Sequence, residues 1–312
     1  MRKPPDDLLT VARPSPDKPL TERADDRFQR WSFAANVART IAHRDSTDAL
    51  VVGLYGPWGE GKTTVLNFIE QAVAHETQTD PVVVLRFNPW RFTKEATLLS
   101  SFFDMLATGI GAKLRTGKEQ LGELLEKYSA ELSAISGQAG RIGAATEALS
   151  PSLDDLKRRI EVELEGFDRP VVVLIDDIDR LRRADIQLLF RLVTLTADFP
   201  RTTYILAFDP DIVADAMSEV YGYADPTAGS RFLEKIVHVP LHLPQVDQAE
   251  LRSICIEGIE AALRNASIDL AESDRYRLAR DLMQFVEPSL QTARTAKCSA
   301  SGPFGQVALV RK

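Results

Sequence analysis

Cysteine is nearly absent from this chain, with Cys255 and Cys298 the only two among 312 residues, and histidine and methionine are scarce at four each. Two cysteines outside C-x-x-C spacing and four scattered histidines support neither a disulfide framework nor a zinc site. A reducing compartment, the cytoplasm, is the expected location. No stretch reaches the roughly 18 consecutive apolar residues of a membrane span. The opening Met1-Arg2-Lys3-Pro4-Pro5-Asp6-Asp7 leads into no apolar core of the kind a secretion signal needs, so neither a targeting nor an anchoring segment is expected. Excess positive charge is missing as well. Thirty-eight Lys and Arg stand against 45 Asp and Glu, a net charge of −7 and a pI near 5.3, which removes any global attraction to nucleic acid or anionic lipid. What remains is 44% hydrophobic and 27% charged, ordinary for a globular chain. The length suffices for one substantial α/β core and a smaller appended unit.

Against this plain background one stretch stands out. The apolar run Ala49-Leu50-Val51-Val52 is followed by Gly53-Leu54-Tyr55-Gly56-Pro57-Trp58-Gly59-Glu60-Gly61-Lys62-Thr63-Thr64 and then by the helical pattern Val65-Leu66-Asn67-Phe68-Ile69. Strand, loop and helix in that order, with Gly56, Gly61, Lys62 and Thr63 satisfying G-x-x-x-x-G-K-[ST], predict a phosphate loop. Its glycines let successive backbone N–H groups turn toward a nucleotide β-phosphate, and the positive end of the helix adds a favourable field. The expected cradle is Gly56, Pro57, Trp58, Gly59, Glu60, Gly61, Lys62, Thr63 and Thr64. Lys62 would reach the β/γ oxygens and the Thr63 hydroxyl would ligate Mg²⁺. Without nucleotide, Lys62 is expected to be a solvated charge whose removal leaves no cavity.

A second constellation is Val171-Val172-Val173-Leu174-Ile175-Asp176-Asp177-Ile178-Asp179-Arg180. Five apolar residues predict a buried strand whose end presents carboxylates. Asp176 is the candidate Mg²⁺ ligand, and Asp177 is the candidate that orients the attacking water or accepts its proton. Asp179 and Arg180 are expected to pair with each other. Two further strands read as 81–92 and 202–209. The first ends in a polar and aromatic tip, where Asn88, Trp90 and Arg91 would face a nucleotide crevice, although packing is the expected role of Trp90. The second ends at Asp209, either a γ-phosphate sensor or the N-cap of a helix over 210–217.

Around these strands, residues 1–26 read as a proline-rich flexible arm and 27–244 as the core. Phe33, Val37 and Ile41 mark one face of a helix within 26–43. An insertion over 93–166 carries helical patterns at 96–114, 119–135 and 153–164. Alternation over 236–244 suggests a last strand, in which His238 and His242 share a face as packing residues. Residues 245–297 form two amphipathic helices, a small lid, and 298–312 a tail, either truncated or altered. Arg231 stands five residues before the last strand, at the end of the preceding helix. It either reaches a neighbour's nucleotide or pairs with Glu234 on its own helix.

The motifs together resemble the KAP family of P-loop nucleoside triphosphatases. The resemblance rests on Gly56-Pro57-Trp58-Gly59-Glu60-Gly61-Lys62-Thr63, Phe87-Asn88-Pro89-Trp90-Arg91-Phe92, Ile175-Asp176-Asp177-Ile178-Asp179-Arg180-Leu181 and Phe232-Leu233-Glu234-Lys235-Ile236. It implies ATP binding and hydrolysis with Mg²⁺ and a parallel sheet of order 5-1-4-3-2. It further implies a role in signalling, membrane-linked scaffolding or, in bacteria, phage exclusion. Membrane helices common in the family's insertion are missing from 93–166, and the lid arginine expected of related ATPases would fall at Arg294. The expected function is therefore an ATP-hydrolysing switch. Its partners are nucleotide and either a second copy of this chain or an unidentified protein. A nucleotide-binding interaction or scaffold protein with little turnover is the alternative, and a small-molecule kinase is disfavoured because no arginine-rich lid is evident.

Overall fold

The computed structural model describes residues 18–77, 82–92, 95–110, 151–167, 169–221, 227–265, 267–286, 288 and 290–296. Five strands, β1 (Leu50–Tyr55), β2 (Val83–Phe87), β3 (Val171–Ile175), β4 (Thr202–Phe208) and β5 (Val239–His242), form one sheet of order β2-β3-β4-β1-β5. Every neighbouring pair is parallel, so the expected order, 5-1-4-3-2, is the one found. The layering, with helices on both faces, follows from the strand compositions. Every residue of β3 and β4 is buried, and an unbroken apolar run such as Val171-Val172-Val173-Leu174-Ile175 has no polar face to offer water, so helices must cover both sides. The outer strands differ. β2 leaves Arg86 outside, where it pairs with Glu70 at 2.6 Å, and β5 carries Pro240, tolerated because a ladder donor is dispensable at an edge.

The register brings the carboxyl ends of the strands to one edge, β2 and β3 ending two residues short of β4 and β1. Tyr55 lies opposite both Phe208 and His242, and Phe87 lies opposite Ile175. The turns that leave β1, β2, β3 and β4 therefore open on one edge of the sheet, the place where doubly wound folds bind ligands.

Helices α1 (Arg30–Ala42), α2 (Lys62–Glu76), α3 (Glu95–Gly109), α4 (Pro151–Glu165), α5 (Arg183–Thr196), α6 (Pro210–Tyr221) and α7 (Ala228–Ile236) accompany the strands. Helix α5 shows why they pack. Ile186, Leu189, Phe190 and Val193 recur at i, i+3, i+4 and i+7 and are all buried. In α3, Leu98, Leu99, Phe102, Phe103 and Leu106 are buried, with the Phe102 ring edge-on to Phe87 at 5.2 Å. Truncating Phe102 to Ala would cost about 3–5 kcal/mol. The insertion thus begins and ends in helices of the main core cluster, which includes Ile160 and Leu164 of α4. The helical pattern expected over 119–135 and the tail over 298–312 lie outside the described residues.

Some boundaries differ from expectation. The first helix starts at Arg30 rather than near Asp26, following a short turn at Arg23–Asp25. The last strand begins at Val239, and His238 turns its ring to accept the Val51 N–H at 3.0 Å.

The chain divides into two compact units: residues 31–58 with 62–243, which contain the sheet, and Arg30 and the described residues before it with Gly59–Gly61 and those from Pro244. The second unit contains α8 (Gln248–Asn265) and α9 (Glu272–Asp281), the latter followed by a wider turn over Leu282–Val286. Leu251, Cys255, Ile259, Val286, Leu290 and Ala296 form its core. Arg27 joins this unit through ion pairs with Glu250 and Glu257, both at 2.7 Å.

Candidate nucleotide site

The loop after β1 has the backbone its sequence requires. Gly56 N–H still donates to Phe208 O at 3.3 Å, extending the ladder by one bond. Gly59 and Gly61 then adopt φ of +91°, a conformation that side chains rarely tolerate. Helix α2 begins at Lys62, so its first N–H groups, which have no acceptor within the helix, lie next to the loop. Trp58 is 61% exposed. Gly59 groups with the second unit, where a Cβ built on it would come within 3.1 Å of the Arg294 Cβ. Glu60 supplies charge to Arg30, whose buried guanidinium is held below its ordinary pKa by desolvation.

Lys62 is not the solvated charge the sequence suggests. Its side chain is only 8% exposed, and its Nζ pairs with Asp179 Oδ2 at 2.7 Å, the aspartate side chain being 6% exposed. The same Nζ donates to Gly56 O at 2.8 Å and Pro57 O at 3.3 Å. The ammonium is enclosed because α2 starts within its own loop and the turn after β3 brings a carboxylate against it.

That turn sorts three acidic residues into different roles, and Asp209 after β4 adds a fourth. Asp176 directly follows β3, and its N–H donates to Phe87 O at 3.3 Å. Its carboxylate accepts the Asp177 N–H at 2.8 Å and a hydrogen bond from Thr63. Burial nevertheless holds the Asp176 carboxyl above the usual range, the Thr63 bond opposing that shift. Asp177 adopts a left-handed backbone, φ 59° and ψ 27°, and opens a short turn over Ile178–Arg180. Its Oδ2 accepts from Asn88 Nδ2 at 2.7 Å, and its Oδ1 pairs with Arg180 Nε at 2.8 Å. Asp179 accepts the Asp209 N–H at 2.7 Å as well as binding Lys62. Asp209 caps α6, its Oδ1 accepting the Asp211 N–H at 3.1 Å, as one of its two expected readings has it.

Two expected contacts are corrected by this geometry. Asp179 and Arg180 do not pair with each other, because the left-handed step at Asp177 sends their side chains to different partners. Trp90 is not packed away: it is 53% exposed, with the Arg180 guanidinium 5.6 Å above its ring. It follows Pro89 in a single turn that Asn88 caps by accepting the Trp90 N–H at 3.2 Å. Arg231 lies in the first half of α7 rather than at its end, exposed to solvent. Asn88, Asp179 and Arg180 are the members sequence reasoning left without a role. Their signal was position alone, beside the strand ends that carry the acids.

Residues 30–300 match the description "KAP family P-loop domain". The chain belongs to the KAP family. Among curated relatives, the phage T7 exclusion protein of Escherichia coli strain K12 is 26% identical over 291 residues, 84% of this chain and 39% of that protein. The chain thus spans less than half of that relative's length. Of solved structures, the Aeropyrum pernix ORC1 protein in complex with DNA is 15% identical with a TM-score of 0.44, covering 91% of this chain and 60% of that one. Domain III of the Thermotoga maritima replication initiation protein DnaA is 16% identical with a TM-score of 0.36, covering 85% and 79%.

In this KAP domain, the Thr63 hydroxyl and the Asp176 carboxylate are hydrogen-bonded neighbours. Both are hard oxygen donors, and two such ligands with the remaining positions left to water and phosphate suit Mg²⁺. The residues present therefore fit the ion the family implies. No helix among the described residues is long and apolar enough to cross a membrane.

Proposed function

We propose that this KAP domain binds ATP with Mg²⁺ and hydrolyses it, its nucleotide state serving as a switch. The observation that carries the reading is the cluster at the start of α2, where buried Lys62 and the Thr63–Asp176 pair lie beside Asp177, whose backbone N–H donates to Asp176. Residues 56–64 cradle the phosphates with backbone N–H groups. Lys62 exchanges part of its bonding with Asp179 for the β/γ oxygens. Thr63 and Asp176 hold Mg²⁺, which supplies charge neutralisation at the phosphates. Asp177 orients a water molecule. As the water oxygen bonds to the γ-phosphorus, the bond to the bridging oxygen breaks, ADP leaves with the electron pair, and the water proton passes to Asp177. Asp209, at the end of β4, senses the γ-phosphate through the backbone N–H that Asp179 otherwise holds. Arg231 reaches the developing charge on a neighbouring copy.

The experiment compares two substitutions. Asp177→Asn should retain Mg·ATP binding while turnover falls about 10²-fold or more, the scale of a lost general base. Asp176→Asn should instead weaken the metal requirement of binding. Wild-type turnover in Asp177→Asn would remove Asp177 from the mechanism.

A nucleotide-binding interaction protein with little turnover is the second reading. It is favoured by the engagement of both Asp177 oxygens, one by Asn88 and one by Arg180, which leaves the carboxylate fewer free lone pairs for water. Stable bound nucleotide with slow release would select it, and a steady ATPase rate would exclude it. For biological output, the resemblance to a phage exclusion protein motivates a cytoplasmic role in phage exclusion. Plating efficiency of phage on cells producing the wild type and Asp177→Asn tests this, and equal plating on both and on empty cells would refute it.

A further inference from the structure

Asp177 is joined to the protein surface by two routes that meet at Trp90, one at its backbone N–H and one at its exposed ring. Along the first, the Trp90 N–H donates to Asn88 Oδ1 at 3.2 Å, and Asn88 Nδ2 donates to Asp177 Oδ2 at 2.7 Å. Along the second, the Trp90 ring faces the Arg180 guanidinium at 5.6 Å, and Arg180 Nε pairs with Asp177 Oδ1 at 2.8 Å. The contacts form a closed ring, Asp177–Asn88–Trp90–Arg180, with one carboxylate oxygen on each arm.

We propose that Trp90 and Arg180 are positioning residues for Asp177, and that the indole face fixes the orientation of the carboxylate through the guanidinium. The inference rests on the reading of Asp177 as the residue that activates water. Three physical facts support it. A carboxylate held at only one oxygen rotates about its terminal torsion, which has broad minima, whereas contacts on both oxygens define its plane. Asp177 also has a left-handed backbone, costly for a residue other than glycine and stable only where its surroundings hold it. The turn that follows returns Arg180 Nε to the same side chain three residues on. Finally, Arg180 is itself 45% exposed and long, so it needs something to hold it, and a planar guanidinium over an indole face is such a support. Solvent exposure of Trp90 at 53% otherwise leaves a large apolar ring in water without a packing reason.

Steady-state kinetics and nucleotide affinity of point variants decide the matter. Trp90→Ala should lower kcat about 2–5-fold, the scale of an exposed cation–π contact, with nucleotide Kd unchanged. Trp90→Phe, which keeps an aromatic face, should restore most of the loss. Arg180→Gln should lower kcat about tenfold or more, as for a charged hydrogen bond, and Arg180→Lys should recover only part because it lacks the planar fork. On the Asp177→Asn background, followed in single turnover, neither Trp90→Ala nor Arg180→Gln should reduce the rate further. Equal additional losses on that background, a change confined to Kd, or an increase in kcat would each overturn the proposal. So would full activity of Trp90→Ala and Arg180→Gln when Asp177→Asn is impaired. Full activity of Asp177→Asn itself would instead remove the underlying reading of Asp177.

Discussion

Replacing Lys62 should unfold the nucleotide-free protein more readily as well as disable the phosphate loop, because the side chain lies in a buried ion pair. The informative substitution is Lys62→Met, which keeps the hydrocarbon stem and so separates loss of charge from loss of packing. It leaves the Asp179 carboxylate, 6% exposed, with the Asp209 N–H at 2.7 Å as its remaining donor among the described residues. Breaking a buried pair from one side costs about 3–5 kcal/mol. Protonation sets an independent ceiling. A carboxyl with a reference pKa of about 3.9 can lose its charge at pH 7 for about 4 kcal/mol, and at pH 5 for about 1.5 kcal/mol. The two figures agree at neutral pH. The second also carries a sign: a lone buried carboxylate prefers its protonated form in the fold, so the deficit shrinks as pH falls. With about 2–4 °C of melting temperature per kcal/mol for a domain of this size, Lys62→Met should melt about 8–16 °C lower at pH 7 and about 3–6 °C lower at pH 5. Adding Asp179→Asn removes the orphaned charge and keeps an acceptor for Asp209, so most of the loss should return. Circular dichroism melts of the three nucleotide-free proteins at both pH values provide the measurement. A Lys62→Met protein that melts within about 2 °C of wild type at pH 7, or whose deficit is unchanged at pH 5, would mean that the lysine is solvated after all.

Other outcomes follow from single features. A Cβ at Gly229 would lie 1.9 Å from the Ala214 carbonyl oxygen, so Gly229→Ala must push α6 and α7 apart and should cost about 1–3 kcal/mol or more in a denaturant titration; an unchanged midpoint would contradict that close approach. Burial raises the Cys255 thiol above its ordinary pKa, so its alkylation at pH 8.5, read by peptide mass, should be far slower in native than in unfolded protein, and equal rates would show the core of the second unit to be open. If Arg231 acts on a neighbouring copy, mixing Arg231→Ala with Lys62→Ala protein, each inactive alone, should restore part of the ATPase activity. Full activity of Arg231→Ala, or specific activity that stays flat on dilution, would confine that residue to its own helix.

Strands and phosphate loop were legible because each leaves a one-dimensional trace. A strand buried on both faces must be apolar at consecutive positions, as at 171–175, and a loop that turns its N–H groups inward must have glycine where φ is positive, as at Gly59 and Gly61. Strand order leaves no such trace. Parallel pairing of β1 with β4 rather than β2 was expected only through the family resemblance, since the same apolar runs would satisfy other orders.

Partners within the site were harder to read for a related reason. Asp176, Asp177 and Asp179 fall within four positions, and spacing alone does not say which carboxylate meets Lys62, which meets Thr63 and which meets Arg180. The sorting follows from the left-handed step at Asp177. Had that residue continued the extended conformation of β3, alternation would have sent Asp177 and Asp179 to the same side. The adjacent pair Asp179 and Arg180 looked self-sufficient because neighbours of opposite charge usually need no further explanation. Trp90 misled similarly, since a tryptophan beside Phe87 and Phe92 reads as core until the Asn88 cap turns it outward. In each case local preference was overruled by a backbone feature near the acids. A left-handed aspartate persists only where neighbouring contacts hold it, and here those contacts are Asn88 and Arg180. Asn88 and Arg180, which sequence reasoning left without a role, are therefore the residues that maintain the conformation it could not foresee.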